Sequence, residues 1–319
     1  MEISLSKILP IVATFFASLA GLASILALYI NNSTAKKIQK LKNESSKEIE
    51  YLKNELIKSE KIENIRQKYS IPLIKTAEEL HNKLNDIVKD HERVLKYFAD
   101  LTTRLSAIKS MENILKSATN IYVTNIFYLF ARYFAIIEII KKEFGLLKLA
   151  SDEETKSFYK YARSTVAVFF SNSLFKKLSI DNTDEIKFQG KILEGAQTLL
   201  GESILSQTND RFQIMSYYEF CRKITTDEDF INCFDPLKVF FENLKFVPDI
   251  ETTSEKVDFR WAKILFFAYF LRLLVEKVDN TNAITLLPEI IIEEKKYFKK
   301  NQILNENLEQ FKKRYWHSV

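Results

Sequence analysis

Glycine and proline are scarce in this sequence, five of each in 319 residues, and so are histidine (three) and cysteine (two). Each scarcity excludes something. All-β folds and glycine-cradled nucleotide sites need frequent turns and close backbone approaches, so few glycines and prolines favour helix. Two cysteines, Cys221 and Cys233, cannot build a disulfide framework, and nothing near them has zinc-ligand spacing. They read as reduced thiols acting as small hydrophobes. His81 follows Glu78 and Glu79 on a helical face, and His91 lies in KDHER, so both read as surface side chains. No HExxH, nucleophile elbow or Walker sequence occurs. Asp227, Glu228 and Asp229 cluster where an N-cap role is the simplest account. No catalytic, metal or cofactor-binding residue is assigned, and a non-enzymatic protein with no cofactor is expected.

What is abundant is apolar surface. Hydrophobic residues make up 46% and aromatics 13% of the chain, ample for a packed core. A net charge of +5 permits contact with anionic lipid or nucleic acid without indicating either.

Ile8 to Ile30, ILPIVATFFASLAGLASILALYI, is 23 residues without a charge. As a helix it is about 34 Å long, enough to cross the hydrocarbon core. Only Lys7 lies just before it, whereas Lys36, Lys37, Lys40, Lys42 and Lys47 follow. The positive-inside rule then places the C-terminal bulk in the cytoplasm, as a single-pass protein of the inner membrane. A cleaved secretory signal needs a basic n-region, a shorter apolar run and a small-residue cleavage site, and all three fit poorly. Ala13, Ala17 and Gly21 are four apart, with Ser24 near the same face, the small-xxx-small spacing that lets transmembrane backbones approach. Self-association as a homo-oligomer through these residues is one expectation, and chance spacing in an Ala-rich span is the other.

Residues 35–70 are charged, with Ile38, Leu41, Ile49, Leu52, Leu56, Ile62 and Ile65 at mixed three- and four-residue steps. Ser45 and Ser59 fall where apolar residues would complete the seam. A weak coiled coil and a solvated single-helix stalk are both consistent with this imperfect heptad. Pro72 is expected to end the stalk helix.

Helical periodicity dominates thereafter. Ile74, Ala77, Leu80 and Leu84 begin an apolar stripe. Ile121 to Ile140 is apolar nearly all round, and Asn125, Arg132 and Glu138 within it would be costly in lipid. A buried core helix is therefore expected rather than a second span. Arg132 and Glu138 are six apart and face different ways, so each is a buried polar group meeting a different helix, either a structural ion pair or a ligand contact. Gly145 reads as a C-cap, and SDEE at 151–154 as the next helix start. Helices are expected over 155–178, 186–205, 228–246 and 256–278. Gly190, Gly195 and Gly201 in the second of these read as close packing rather than a phosphate loop. Residues 211–224 mix aromatic and cationic side chains. The C-terminal stretch carries Lys295, Lys296, Lys299, Lys300, Lys312, Lys313 and Arg314 interleaved with aromatics, which suits lipid or nucleic-acid contact or a solvated helical tail.

The fold class expected is all-α: anchor at 1–34, charged stalk at 35–70, cytoplasmic helical bundle at 71–283 and basic helical tail at 284–319. The stretches IPLIKTAEELHNKL (71–84), FYLFARYFAIIEIIKKEFGLL (127–147) and KFQGKILEGAQTLLGE (187–202) resemble an uncharacterised family of bacterial membrane-anchored helical proteins. That resemblance covers about half the chain and implies a membrane-anchored helical fold without an activity; the long charged stalk and basic tail depart from it. In layout and charge the chain is also similar to the membrane effectors encoded beside short prokaryotic Argonautes, which act on the bilayer when a nucleic-acid sensor is triggered. The function expected is a membrane-anchored interaction module, either an oligomerising effector of antiviral defence or a scaffold recruiting a protein. Its expected partners are the lipid bilayer, further copies of itself and a cytoplasmic sensor protein.

Overall fold

The computed structural model describes residues 5–145, 153–170, 191–208, 211–244, 259–278 and 302–316, and they are predominantly helical. The chain divides into two compact units, Met1–Lys61 and Ile62–Val319.

The first unit is formed by the N-terminal part of helix α1 (Leu5–Lys89). Its described side chains are exposed almost throughout. Charged and long, this stretch gains helix support from spaced pairs such as Lys40–Glu44 and Glu55–Lys58, both 3.9 Å apart and each worth roughly 0.3–0.5 kcal/mol.

In the second unit α1 continues and buries Tyr69, Leu73, Ile74, Ala77, Leu80, Leu84 and Ile87 at helical spacing. The helix boundary expected at Pro72 is not there; α1 runs through it. Pro72 removes one backbone donor, but the buried stripe on either side of it holds both halves against the core, and packing outweighs the local penalty. His81 is also fully buried, not on the surface, because it lies one position past Leu80 on the inward side.

Short helices α2 (His91–Phe98), α3 (Leu101–Ala107) and α4 (Met111–Leu115) lead to α5 (Ala118–Gly145). From Val123 to Ile140 almost every side chain of α5 is buried, as expected for a helix apolar on all sides in a protein interior. Phe130 stacks on Phe267 at 5.6 Å and meets Phe134, Phe169 and Phe241 at 5.7–6.1 Å. Helix α6 (Glu153–Phe170) packs on α11 (Phe259–Val278), the second helix buried nearly all round. Helix α7 (Glu194–Ser203) lies against α5 so closely that a Cβ on Gly201 would sit 2.8 Å from the Ala135 nitrogen and the Phe134 carbonyl carbon. Only glycine permits that approach. At Gly195 a Cβ would meet nothing within 4 Å, so close packing explains Gly201 and not Gly195. Gly190 lies outside the described residues.

Three element assignments differ from the sequence reading. Of the helix expected over 186–205, residues 186–190 lie outside the described residues, 191–193 are not helical and Glu194–Ser203 are. The chain then enters an antiparallel hairpin, β1 (Leu205–Thr208) with β2 (Arg211–Ile214), paired Leu205 to Ile214 and Gln207 to Phe212. Among the described residues the fold is thus helical with one small hairpin. The helix expected over 228–246 is two, α9 (Glu228–Asn232) and α10 (Asp235–Glu242), because Pro236 starts a new helix in its first turn. Between hairpin and α9 stands α8 (Tyr217–Thr226), fixed by a capping box: Glu219 N–H donates to the Ser216 hydroxyl, and Ser216 N–H donates to the Glu219 carboxylate.

The final helix, α12 (Gln302–Trp316), buries Leu304, Leu308 and Phe311, and Phe311 meets Phe266 and Phe270 of α11 at 6.1 and 5.1 Å. The described part of the basic tail is therefore docked along one face.

Candidate functional site

The most unusual surface belongs to the first unit. Ala17 to Ile30 of α1 are all exposed, and the large apolar side chains include Leu22 (60% exposed), Ile25 (66%), Leu28 (70%) and Tyr29 (75%). Soluble monomers seldom present a contiguous apolar surface of this kind to water. The sequence-derived small face lies within it. Ala13 and Ala17 are exposed, a Cβ built on Gly21 meets nothing within 4 Å, and the Ser24 hydroxyl donates 2.8 Å back to the Ala20 carbonyl. That local bond satisfies the hydroxyl without a second helix, as serine does in apolar helices. Immediately beyond, Lys36, Lys37, Lys40, Lys42 and Lys47 are exposed on the same helix.

By length and composition, Ala118–Glu143 of α5 is also apolar enough to cross a bilayer, but 89% of its most apolar window is buried inside the protein. Arg132 and Glu138 within it are held differently. The Arg132 guanidinium is half-buried and donates 3.2 Å to Glu79 of α1. Glu138 is buried and accepts from Lys141 at 2.7 Å and Thr198 of α7 at 3.2 Å; Lys141 also stands 3.6 Å from Glu194. The structure does not bring Arg132 and Glu138 together. Each joins α5 to a different neighbour, the geometry of structural ion pairs.

The basic C-terminal residues are also divided. Lys312 lies 2.7 Å from Glu309 and 5.0 Å from the centre of the Tyr269 ring. Burial pulls its pKa down, but hydrogen bonds with Glu309 and Tyr269 outweigh this and leave it raised. Lys313 and Arg314 are exposed, and Lys295, Lys296, Lys299 and Lys300 lie outside the described residues.

Sequence reasoning missed Lys263. It is fully buried in α11, its ammonium donating 2.8 Å to the Phe169 carbonyl at the end of α6. Burial, reinforced by Lys191, holds its pKa well below the usual lysine value. A lysine in an otherwise apolar run is ambiguous in sequence, since such side chains usually snorkel outward. Cys221 is buried and Cys233 half-buried, both free, and burial raises both thiol pKa values. Such thiols are poor nucleophiles at neutral pH. Among the described residues no group of three or more His, Cys, Asp and Glu is placed to hold a metal ion.

Comparison with known proteins finds no matching family model, no matching curated protein and no matching solved structure.

Proposed function

We propose that this chain is a non-enzymatic interaction module tethered to a membrane by its N-terminal helix, with the helical unit on the cytoplasmic side. The observation that carries the reading is the exposed apolar surface of Ala17–Ile30, continued by exposed lysines. In water this surface is unfavourable; a hydrocarbon core about 30 Å thick matches its chemistry, and the uncharged run Ile8–Ile30 that contains it, about 34 Å as a helix, is long enough to cross. The lysines then lie on the cytoplasmic side, where the positive-inside rule puts them. Within the helical unit Arg132 pairs with Glu79 of α1 and Glu138 accepts from Thr198 of α7, contacts that tie α5 to its neighbours.

Alkaline carbonate extraction of cell membranes tests the anchor. Full-length protein is expected in the membrane pellet and a chain lacking residues 1–34 in the supernatant; full-length protein in the supernatant would overturn the reading. Protease added to inverted inner-membrane vesicles is expected to digest the helical unit. Within this reading the chain acts as an oligomerising membrane effector of defence, a version supported by the open small-residue face. Ala17→Leu with Gly21→Leu is then expected to remove expression toxicity while insertion persists. Harmless overexpression of the unaltered chain would leave a recruiting scaffold in its place.

A further inference from the structure

We infer that the partner of the anchor helix is a second copy of the chain, aligned parallel and in register along one seam that crosses the membrane boundary without a break. The inference rests on the membrane-anchored reading and adds partner, orientation and register to it. Within the apolar segment Ala13, Ala17, Ala20, Ser24 and Ala27 follow one another at alternating steps of four and three residues. The same alternation continues outside it through Asn31, Thr34, Ile38 and Leu41. This is an unbroken heptad a/d pattern, with Ala17, Ser24, Asn31 and Ile38 at a, and all nine side chains are exposed.

The residue types change with the solvent as such a seam requires. Where lipid surrounds the helix, association needs close backbone approach, and every seam position is Ala or Ser. The opposite face carries Leu19, Leu22, Leu26 and Tyr29, all 47–75% exposed. Where water surrounds the helix, association is driven by apolar burial, and the seam switches to Ile38 and Leu41, which stand 60% and 62% exposed on an otherwise charged surface. Two independent selections, one for small and one for large apolar residues, thus fall on a single helical line. Gly21 lies beside this line rather than on it.

Orientation follows from two further residues. Asn31 is a lone amide at an a position, and an asparagine there fixes parallel register by pairing with its counterpart across the seam. After Leu41 a four-residue insertion at Ser45 shifts the pattern to Ile49, Leu52, Leu56 and Ser59. In that register, parallel helices set Glu48 of one copy opposite Lys53 of the other, twice by symmetry, and one heptad further Glu55 opposite Glu60, an exposed like-charge pair in water. Lys37 opposite Lys42 is a like-charge pair, placed at the depth of anionic lipid phosphates that screen it.

Disulfide crosslinking of the full chain in native membranes tests this, in a Cys221→Ala, Cys233→Ala background. Single cysteines at Ser24, Asn31 and Ile38 are expected to give about tenfold more covalent dimer than cysteines at Leu22, Tyr29 and Lys36. Equal crosslinking on both faces, or none on the seam while carbonate extraction leaves the protein in the pellet, would overturn the dimer and leave the anchor standing. Protein released by carbonate would overturn the anchor itself, and the inference with it. Asn31→Leu is expected to keep the pellet location and to spread the single dimer into several oligomeric species by native mass spectrometry. An unchanged single dimer would remove Asn31 as the register lock.

Discussion

The apolar stretches Ile8–Ile30 of α1 and Ile121–Ile140 of α5 are alike in length and in richness of large apolar residues. In the structure their surroundings are opposite. Side chains from Ala17 to Ile30 are exposed, whereas α5 is buried among α1, α6, α7 and α11. The difference lies in what interrupts the hydrophobicity. Helix α5 contains Arg132 and Glu138, and each finds a partner on its own or a neighbouring helix, Glu79 for the first and Lys141 with Thr198 for the second. Polar groups placed where other helices bring counterparts mark a protein interior. The α1 stretch has no charge to pair, and its polar Ser24 bonds to its own backbone. A helix built that way needs nothing polar from its surroundings, which is the condition a bilayer imposes.

The two helices are expected to respond to substitution in opposite ways. Phe130→Ala removes a buried ring touching four others and is expected to destabilise the helical unit by about 3–5 kcal/mol without moving the protein off the membrane, read by chemical denaturation. Leu19→Asp puts a carboxylate in the middle of the α1 stretch and is expected to cost roughly 3 kcal/mol of insertion, leaving the melting of the helical unit unchanged. A helical unit that melts earlier in this variant would mean the α1 stretch is covered by protein. Gly201→Val brings a side chain onto the α5 backbone at 2.8 Å and is expected to cost about 1–3 kcal/mol. The same change at Gly195 is expected to be near neutral in packing.

Lys263 sharpens the contrast through pH. Its folded pKa lies below the unfolded value, so between the two the unfolded chain binds the additional proton. Stability of the helical unit is therefore expected to rise with pH from neutral to about 8, below the range where the unfolded thiols of Cys221 and Cys233 ionise and reverse the slope. Lys263→Met is expected to flatten that slope, measured as the denaturation midpoint against pH; an unaltered slope would remove Lys263 as its source. Arg132→Met breaks a half-buried pair with Glu79 and is expected to cost about 1 kcal/mol, read by chemical denaturation.

The strongest periodicities were legible in residues alone. The core stripe from Ile74 to Leu84 and the burial of Val123–Ile140 follow from spacing and composition, whereas the close packing read from the glycines holds at Gly201 and not at Gly195. What was not legible depended on tertiary context or on weaker signals. Pro72 reads as a helix stop, but Tyr69, Leu73 and Ile74 are held by the core on both sides of it. His81 among charged neighbours reads as exposed, yet one further step around the helix faces inward. The hairpin at Leu205–Ile214 contains few β-branched residues, and its strands of four are too short for alternation to separate them from a helix end. Ser216 to Glu219 carried a usable signal, the S-x-x-E capping box that starts α8. The small residues Ala13, Ala17 and Gly21 are legible in the sequence as a spacing, and the structure adds that α1 continues as one helix past Ile30.

The central claim is that one apolar helix lies in lipid and the other in protein. A carbene reagent dissolved in the bilayer of native membranes, photolysed and mapped by peptide mass spectrometry, tests both at once. The account predicts label between Ala13 and Ile30 and none between Ile121 and Ile140. Label on Ile121–Ile140, or its absence from Ala13–Ile30, would contradict it.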